Sequence, residues 1–537
     1  MSLSGESSVR EPLLAAVANH SSQPHTTFAP FNPGQLRNSN ENDNACGTTG
    51  AAASKFARNL GTAEAFAIVI SIVIGSGIFT SPGSVDANVP SPAVALAVWL
   101  IGGVLAWTGA CTLAELGTSI KGEGGVQPYL QYVFGEVFGF LAAWTWIISV
   151  MPATLAILSI VFVESIFSVT GIAQDQAGSI LHKSLSIIIV IATGLANSIG
   201  TDTSNKLSKI FVSVKFIAIT AVVTAGITTV IVSCTSSSHE NIGGGDWKTK
   251  SWFGMRDSLN PDGSKIVWSD LGTWEILGHC CTALYGALWG YSGWDKAIYI
   301  SAELSAPARQ LPLAFNLAIP VIIFCFITAS ASYYVLLPWN TVSTTDSIAV
   351  TAISRLLGPV WGITTAMLIC MVVAGSLLGN SFIAGRMTVA AANKNWFPRT
   401  FGNLGYIGIL QKQDMEDEDT EQSNEPKKGS DAPLNALILS TFLSSLYIIF
   451  GNFRALLVFN GLGEYAFFFL TTVGAIALRF TQPHLERPYK TLLVVPLIFA
   501  LVSGFVVVRG ASFQPKIALV LIVLWLIGYG FYLMRRR

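Results

Sequence analysis

The stretch IVIGSGIFTSPGS, Ile72 to Ser84, sets Gly75, Ser76 and Gly77 in the middle of a run apolar enough to enter a bilayer. In hydrocarbon each unpaired backbone N–H or C=O costs several kcal/mol, so an interrupted helix survives only inside protein or beside a cavity. The break therefore marks a site. A helix resuming after Gly75 presents free N–H groups and the positive end of its dipole, which suits a carboxylate. Carbonyls ending the preceding half, near Val73 and Ile74, lack intrahelical donors and suit an ammonium group. Pro82, one turn on, fits a short half-helix emerging from the break. Because the backbone itself is the ligand, a side chain at Gly75 or Gly77 is expected to stand where the substrate sits.

A second interruption lies in GALWGYSGWDKAIYISAELSAPARQLP, residues 286–312, where Gly290, Ser292 and Gly293 fall close together. Small residues in a membrane helix often serve only close packing. Two Gly/Ser clusters five spans apart argue instead for a shared site, since paired breaks in corresponding halves point to the binding site of a transporter built from inverted repeats. Carbonyls near Trp289 and Ser292 would join those of the first break. A site for an anion facing a site for a cation describes a zwitterion, and the smallest biological answer is an α-amino acid.

The rest of the composition agrees with a membrane protein. Hydrophobic residues make up 51% of 537 positions and charged ones 12%, about half the charge of a soluble domain. A hydrocarbon core needs about 20 apolar residues per helix. On that ruler the chain is all-α with twelve spans, at 63–87, 93–117, 133–163, 184–200, 209–233, 271–301, 311–338, 359–385, 434–451, 455–479, 491–510 and 515–534. Spans one to five (63–233) and six to ten (271–479) form two halves, with the last two (491–534) added. An even count puts both termini on one side. Basic residues near span ends, among them Lys55, Arg58, Lys121, Arg386 and the terminal Arg535 to Arg537, make that side the cytoplasm. The tail 1–60 and the loop 411–431 carry too little apolar surface to fold. The tail is a solvated linker or a target for ubiquitin-type regulation. Segment 234–270, an extracellular loop with Trp247, Trp252, Phe253 and Trp268, has the aromatic content to pack as a cap.

Zero net charge disfavours a nucleic-acid partner. The seven cysteines show no CxxC or Cys/His spacing for zinc, so neither a metal nor a disulfide scaffold is indicated. No G-x-x-x-x-G-K-[ST] phosphate loop occurs, which leaves a gradient rather than ATP as the driving force. No cofactor is expected, and no histidine stands beside a plausible nucleophile, so the chain does not read as an enzyme.

IGSGIF (74–79) and YSGWD (291–295), with AELGTSIKGEGGVQPYLQYVFG (114–135) and AGRMTVAAANKNWFP (384–398), resemble the amino acid–polyamine–organocation (APC) superfamily, specifically its L-type amino acid transporters and their fungal methionine-permease-like members. The resemblance implies a five-plus-five inverted-repeat fold with broken helices one and six. It implies that Gly75, Ser76 and Gly77 hold the substrate carboxylate. The carbonyls of Val73, Trp289 and Ser292 would hold the amine, and Trp289 would serve as a gate. Lys215, an intramembrane ammonium in span five, would fill the place of a sodium ion, implying sodium-independent transport. Asp295 reads as a helix cap or a contact for a cationic substrate side chain. Animal relatives join a heavy subunit through a cysteine between spans three and four; ESIFSVTGIAQDQAGSILHK (164–183) has none, so no disulfide-linked partner is expected. The expected function is proton-coupled uptake or exchange of large neutral L-amino acids, methionine included, by alternating access at the plasma membrane, with a vacuolar or other endomembrane as the alternative. Cationic substrates, or a sensor that binds without transporting, are the other readings.

Overall fold

The computed structural model describes residues 61–120, 125–170, 179–199, 201–235, 243–296, 306–402 and 433–536. The N-terminal tail, the 411–431 loop and the end of span six, 297–305, lie outside the described residues. Among those described, nine helices are long and apolar enough to cross a membrane. The other three expected spans coincide with helices that are broken or short. Span one is split into Thr62–Val73 and Gly77–Asp86, span six is helical over Thr273–Gly290, and span nine over Leu434–Phe450. Span eight outruns its apolar stretch, reaching Asn393 rather than residue 385. Arg386 lies over the Phe382 ring, 4.1 Å from its centre, which lets the helix carry a charge past the apolar run.

The two halves run through matching elements. After span two (Pro92–Ser119) a helix of 9 residues, Val126–Phe134, meets a 35-residue helical run, Glu136–Thr170; after span seven (Pro307–Leu336) a helix of 10 residues, Ile348–Leu357, meets a 35-residue helix, Pro359–Asn393. Each junction is one glycine in nearly the same extended, positive-φ state: Gly135 at φ 93, ψ 175 and Gly358 at φ 93, ψ 173. That region is essentially closed to residues with a Cβ. The junction before span three thus has a counterpart before span eight, and the sequence reading marked neither.

Two prolines inside membrane helices show how the backbone is kept satisfied. Pro82 has no N–H for the Ile78 carbonyl, and Tyr333 Oη of span seven donates to that carbonyl at 3.3 Å. Pro152 leaves the Ile148 carbonyl in the same position, beside the π-helical turn Trp146–Val150, and Tyr447 Oη donates to it at 3.0 Å.

Residues 243–270 form a cap: a short helix, Asp246–Thr249, a two-stranded hairpin pairing Ser258–Leu259 with Lys265–Ile266, and a 3₁₀ turn, Trp268–Asp270. Trp252 meets Tyr334 and Trp339 edge to face, Trp268 is buried, and Phe253 stays exposed. Arg256 of the cap pairs with Asp86, the last residue of the half-helix that follows the first break, and Tyr334 donates to the same carboxylate. At the opposite end of the bundle Glu115 is buried. Arg479 Nε reaches its carboxylate at 2.9 Å, while the Thr491 N–H and hydroxyl do so at 3.0 and 2.8 Å.

Candidate functional site

The first helix ends with an Ile74 N–H to Ile70 carbonyl bond of 2.9 Å, and the next begins as the Phe79 N–H reaches back to Ser76 at 3.0 Å. Between them the N–H groups of Gly75, Ser76 and Gly77 have no hydrogen-bond partner among the described residues, and neither has the Val73 carbonyl. These unengaged donors stand at and just before the start of Gly77–Asp86, an arrangement that suits an anion. The Ser76 hydroxyl makes no capping bond and is free to add a fourth.

The second break uses its carbonyls differently from the expectation. Tyr291 to Asp295 form a turn in which the Ser292 N–H donates to the Trp289 carbonyl at 3.1 Å and the Lys296 N–H to Gly293 at 3.0 Å. The Trp289 carbonyl is therefore already engaged, with one lone pair left for an ammonium group; the chain closes a tighter i→i+3 turn where the α-helical donor is lost. Among the described residues the carbonyls of Val73 and Ser292 accept no such bond.

The two breaks touch. A Cβ on Gly77 would stand 2.6 Å from Gly290 Cα and 3.4 Å from the Trp289 ring, while Gly293, at φ 109, lies against Ile72 so closely that a Cβ would come 3.1 Å from its carbonyl oxygen. Each break makes room for the other's backbone. The expectation that both span-one glycines keep the substrate's space clear is corrected here: Gly77 is small because Gly290 lies behind it. Gly75 is different, since a Cβ there would have only the Val73 oxygen within reach, at 4.0 Å. Gly75 borders open space.

Around this contact Gly75, Trp289, Ser292 and Asp295 are each half-buried while Val73, Gly77 and Tyr291 are fully buried. Partly exposed residues thus stand beside fully buried ones where the breaks meet. Tyr291 anchors the turn through its hydroxyl to the Trp99 carbonyl at 3.0 Å and its ring stacked on Phe326. The Asp295 carboxylate accepts backbone N–H groups of Gly293 and Lys296, the geometry of a cap on the turn. Lys215 is half-buried on Thr201–Thr235, packed between spans seven and eight, and its ammonium has no hydrogen bond or ion pair among the described residues. His279 packs edge-on between Trp268 and Phe513 with Nδ1 3.0 Å from Asn88 Oδ1.

The sequence pattern of the amino acid permease family matches residues 60–528. The chain belongs to the amino acid permease family. The permease is 27% identical over 478 residues to the human b(0,+)-type amino acid transporter 1, covering 88% of this chain and 87% of that protein. It is 23% identical to the mouse Asc-type amino acid transporter 1, covering 88% and 80% respectively. To the human cystine/glutamate transporter it is 24% identical, over 83% and 79%. The family and these relatives are amino acid transporters and not enzymes, so the permease is a multi-pass membrane protein of amino acid transport.

Sequence reasoning missed the polar groups that face the sixth-span turn from other helices. Lys296 donates to Asn380 Oδ1 of span eight at 2.9 Å. Glu464 of span ten stands within electrostatic reach of Asp295 and Lys296. Glu464 was legible: it is a single carboxylate in the apolar run FNGLGEYAFFFL, and the rule that flags Lys215 applies to it equally.

Proposed function

We propose that the permease is a sodium-independent secondary transporter of L-amino acids, related to the fungal methionine permeases, that takes large neutral substrates, methionine among them, by alternating access. Twelve spans, ten of them in two inverted repeats, cross the plasma membrane with both termini in the cytoplasm, and no disulfide-linked heavy subunit is needed. The observation that carries this reading is the contact of the two breaks beside open space at Gly75. The free N–H groups of Gly75, Ser76 and Gly77 receive the substrate carboxylate, and the carbonyls of Val73 and Ser292, with the remaining lone pair of Trp289, receive the amine. Trp289, half-buried beside Gly77, serves as the gate in this reading, supported by its position at the contact of the two breaks. The matched helix lengths and the Gly135 and Gly358 junctions support the repeat, and the unpartnered ammonium of Lys215 supports a fixed cation in place of sodium.

The test is uptake of radiolabelled amino acids by the purified permease in liposomes, with and without sodium, a pH gradient and internal counter-substrate. Saturable uptake of neutral L-amino acids unchanged by sodium is expected. Sodium-dependent uptake counts against the role of Lys215, and binding without transport under every condition replaces the transporter with a sensor. Preference for lysine or arginine, which Asp295 beside the turn favours, replaces the neutral substrate class with a cationic one.

A further inference from the structure

Charges at membrane depth that substrate binding does not use are gathered on the far side of the sixth-span turn. Glu464 lies roughly 17 Å along Phe453–Thr481 at 1.5 Å per residue, near the middle of the helix. Its carboxylate forms no ion pair among the described residues. Trp294 of the sixth-span turn packs on Phe468, one turn after Glu464, with ring centres 4.9 Å apart, so the groups facing the carboxylate are Asp295 and Lys296 on the turn, Asn460 one turn earlier and the neighbouring Tyr465 hydroxyl. Thr154 of span three holds the Asn460 carbonyl oxygen at 3.3 Å, which leaves the Asn460 amide nitrogen to the carboxylate. Lys296 is drawn to Asn380 and Asp295 is occupied by backbone N–H groups.

Other ionic groups on the elements packed against this helix lie at element ends: Glu115 pairs with Arg479, Arg454 with Asp346 and Glu164 with His182, Arg509 donates to the Trp274 carbonyl, Glu136 accepts from Trp396 and Tyr532, Glu275 accepts the Gly272 N–H, and Lys516, Arg535 and Arg536 stand at the two ends of Pro515–Arg536. Two carboxylates and one ammonium therefore share the region beside the turn. With all three ionised, the group carries one net negative charge at membrane depth, where an unpaired charge is costly. A proton on Glu464 removes that charge and leaves Asp295 and Lys296 as an opposed pair.

We propose that Glu464 is a proton-binding site that couples proton movement to substrate transport. The carboxylate takes a proton from water on the side to which the site is open and returns it to water on the other side. Coupling follows from the shared turn. Ser292, whose carbonyl is proposed to hold the amine, lies three and four residues before Asp295 and Lys296, so a turn reshaped by substrate also changes the charges facing Glu464. The proposal rests on the transporter reading and chooses proton symport over pure exchange.

The experiment compares the full chain with its E464Q variant in liposomes, using radiolabelled methionine. For the wild type, an inward gradient of one pH unit should drive accumulation towards about tenfold for one proton per substrate. E464Q should keep methionine counterflow within about twofold and lose the response to the gradient, and E464D should retain it. If E464Q does not survive purification, K296M replaces it: loss of the opposing positive charge should raise the pH of half-maximal uptake by about one unit. An unshifted midpoint, an E464Q variant that still answers the gradient, or a wild type with counterflow but no pH response each overturns the proposal. E464Q that keeps the gradient response but loses competition by lysine also overturns it and makes Glu464 a contact for a cationic side chain. A wild type inert in both counterflow and gradient assays overturns the transporter reading itself.

Discussion

Gly75 and Gly77 look equivalent in GSG, yet their surroundings assign them different work. Gly77 backs onto Gly290 Cα, so Gly77→Val forces two broken helices apart and is expected to cost about 1–3 kcal/mol of stability or more. The change should lower the melting temperature in detergent whether or not substrate is present. Gly75 has room for a side chain, so Gly75→Val should fold normally. It places methyl groups where the carboxylate is proposed to bind, and losing a charge-assisted hydrogen bond there is worth about 1.5–3 kcal/mol, tenfold or more in affinity. Methionine-dependent thermal stabilisation reads this directly. A folded Gly75→Val protein with unchanged stabilisation would remove the carboxylate site from the first break.

At the scale of helices, the breaks and prolines are tolerated because neighbouring elements supply the missing partners. Tyr333 and Tyr447 each donate to the carbonyl that a proline one turn later leaves open. Tyr333→Phe and Tyr447→Phe, which keep the rings, should each cost about 1 kcal/mol. Thermal unfolding in detergent measures the loss, and wild-type melting of both variants would show that the two carbonyls find other donors. The junctions at Gly135 and Gly358 are a second element-scale device. Alanine at either position meets no neighbouring atom within 4 Å, so the penalty of Gly135→Ala or Gly358→Ala is conformational, about 1–3 kcal/mol. Equal losses at the two sites are the outcome expected if the junctions are equivalent.

Across the whole molecule, one end of the bundle is held by Asp86, Arg256 and Tyr334 and the other by Glu115, Arg479, Arg487 and Thr491. Both clusters join elements far apart in the chain. Arg487, at 3.6 Å, still faces Glu115 once Arg479 is removed, so Arg479→Ala should destabilise by less than the about 3–5 kcal/mol of a fully stranded buried charge. The triple variant Glu115→Gln/Arg479→Gln/Arg487→Gln should recover part of that loss, since it leaves no stranded charge in the cluster. Melting curves of the three proteins decide the point; a single variant as stable as the wild type would mean that the pair is solvated.

The membrane class, the helical architecture and the two Gly/Ser breaks were legible in the amino-acid sequence, because apolar length and helix-breaking composition are local properties that the bilayer enforces residue by residue. Tertiary structure alone decided what those breaks face. Gly77 meets Gly290 and Gly293 meets Ile72 across more than 200 residues of chain. The Trp289 carbonyl is taken by its own turn, and Glu464 is brought from span ten to the charges of span six. None of these meetings has a local signature, since each depends on how helices cross. The sequence could announce two openings in the hydrocarbon, and only the packing of distant helices determined which groups line them.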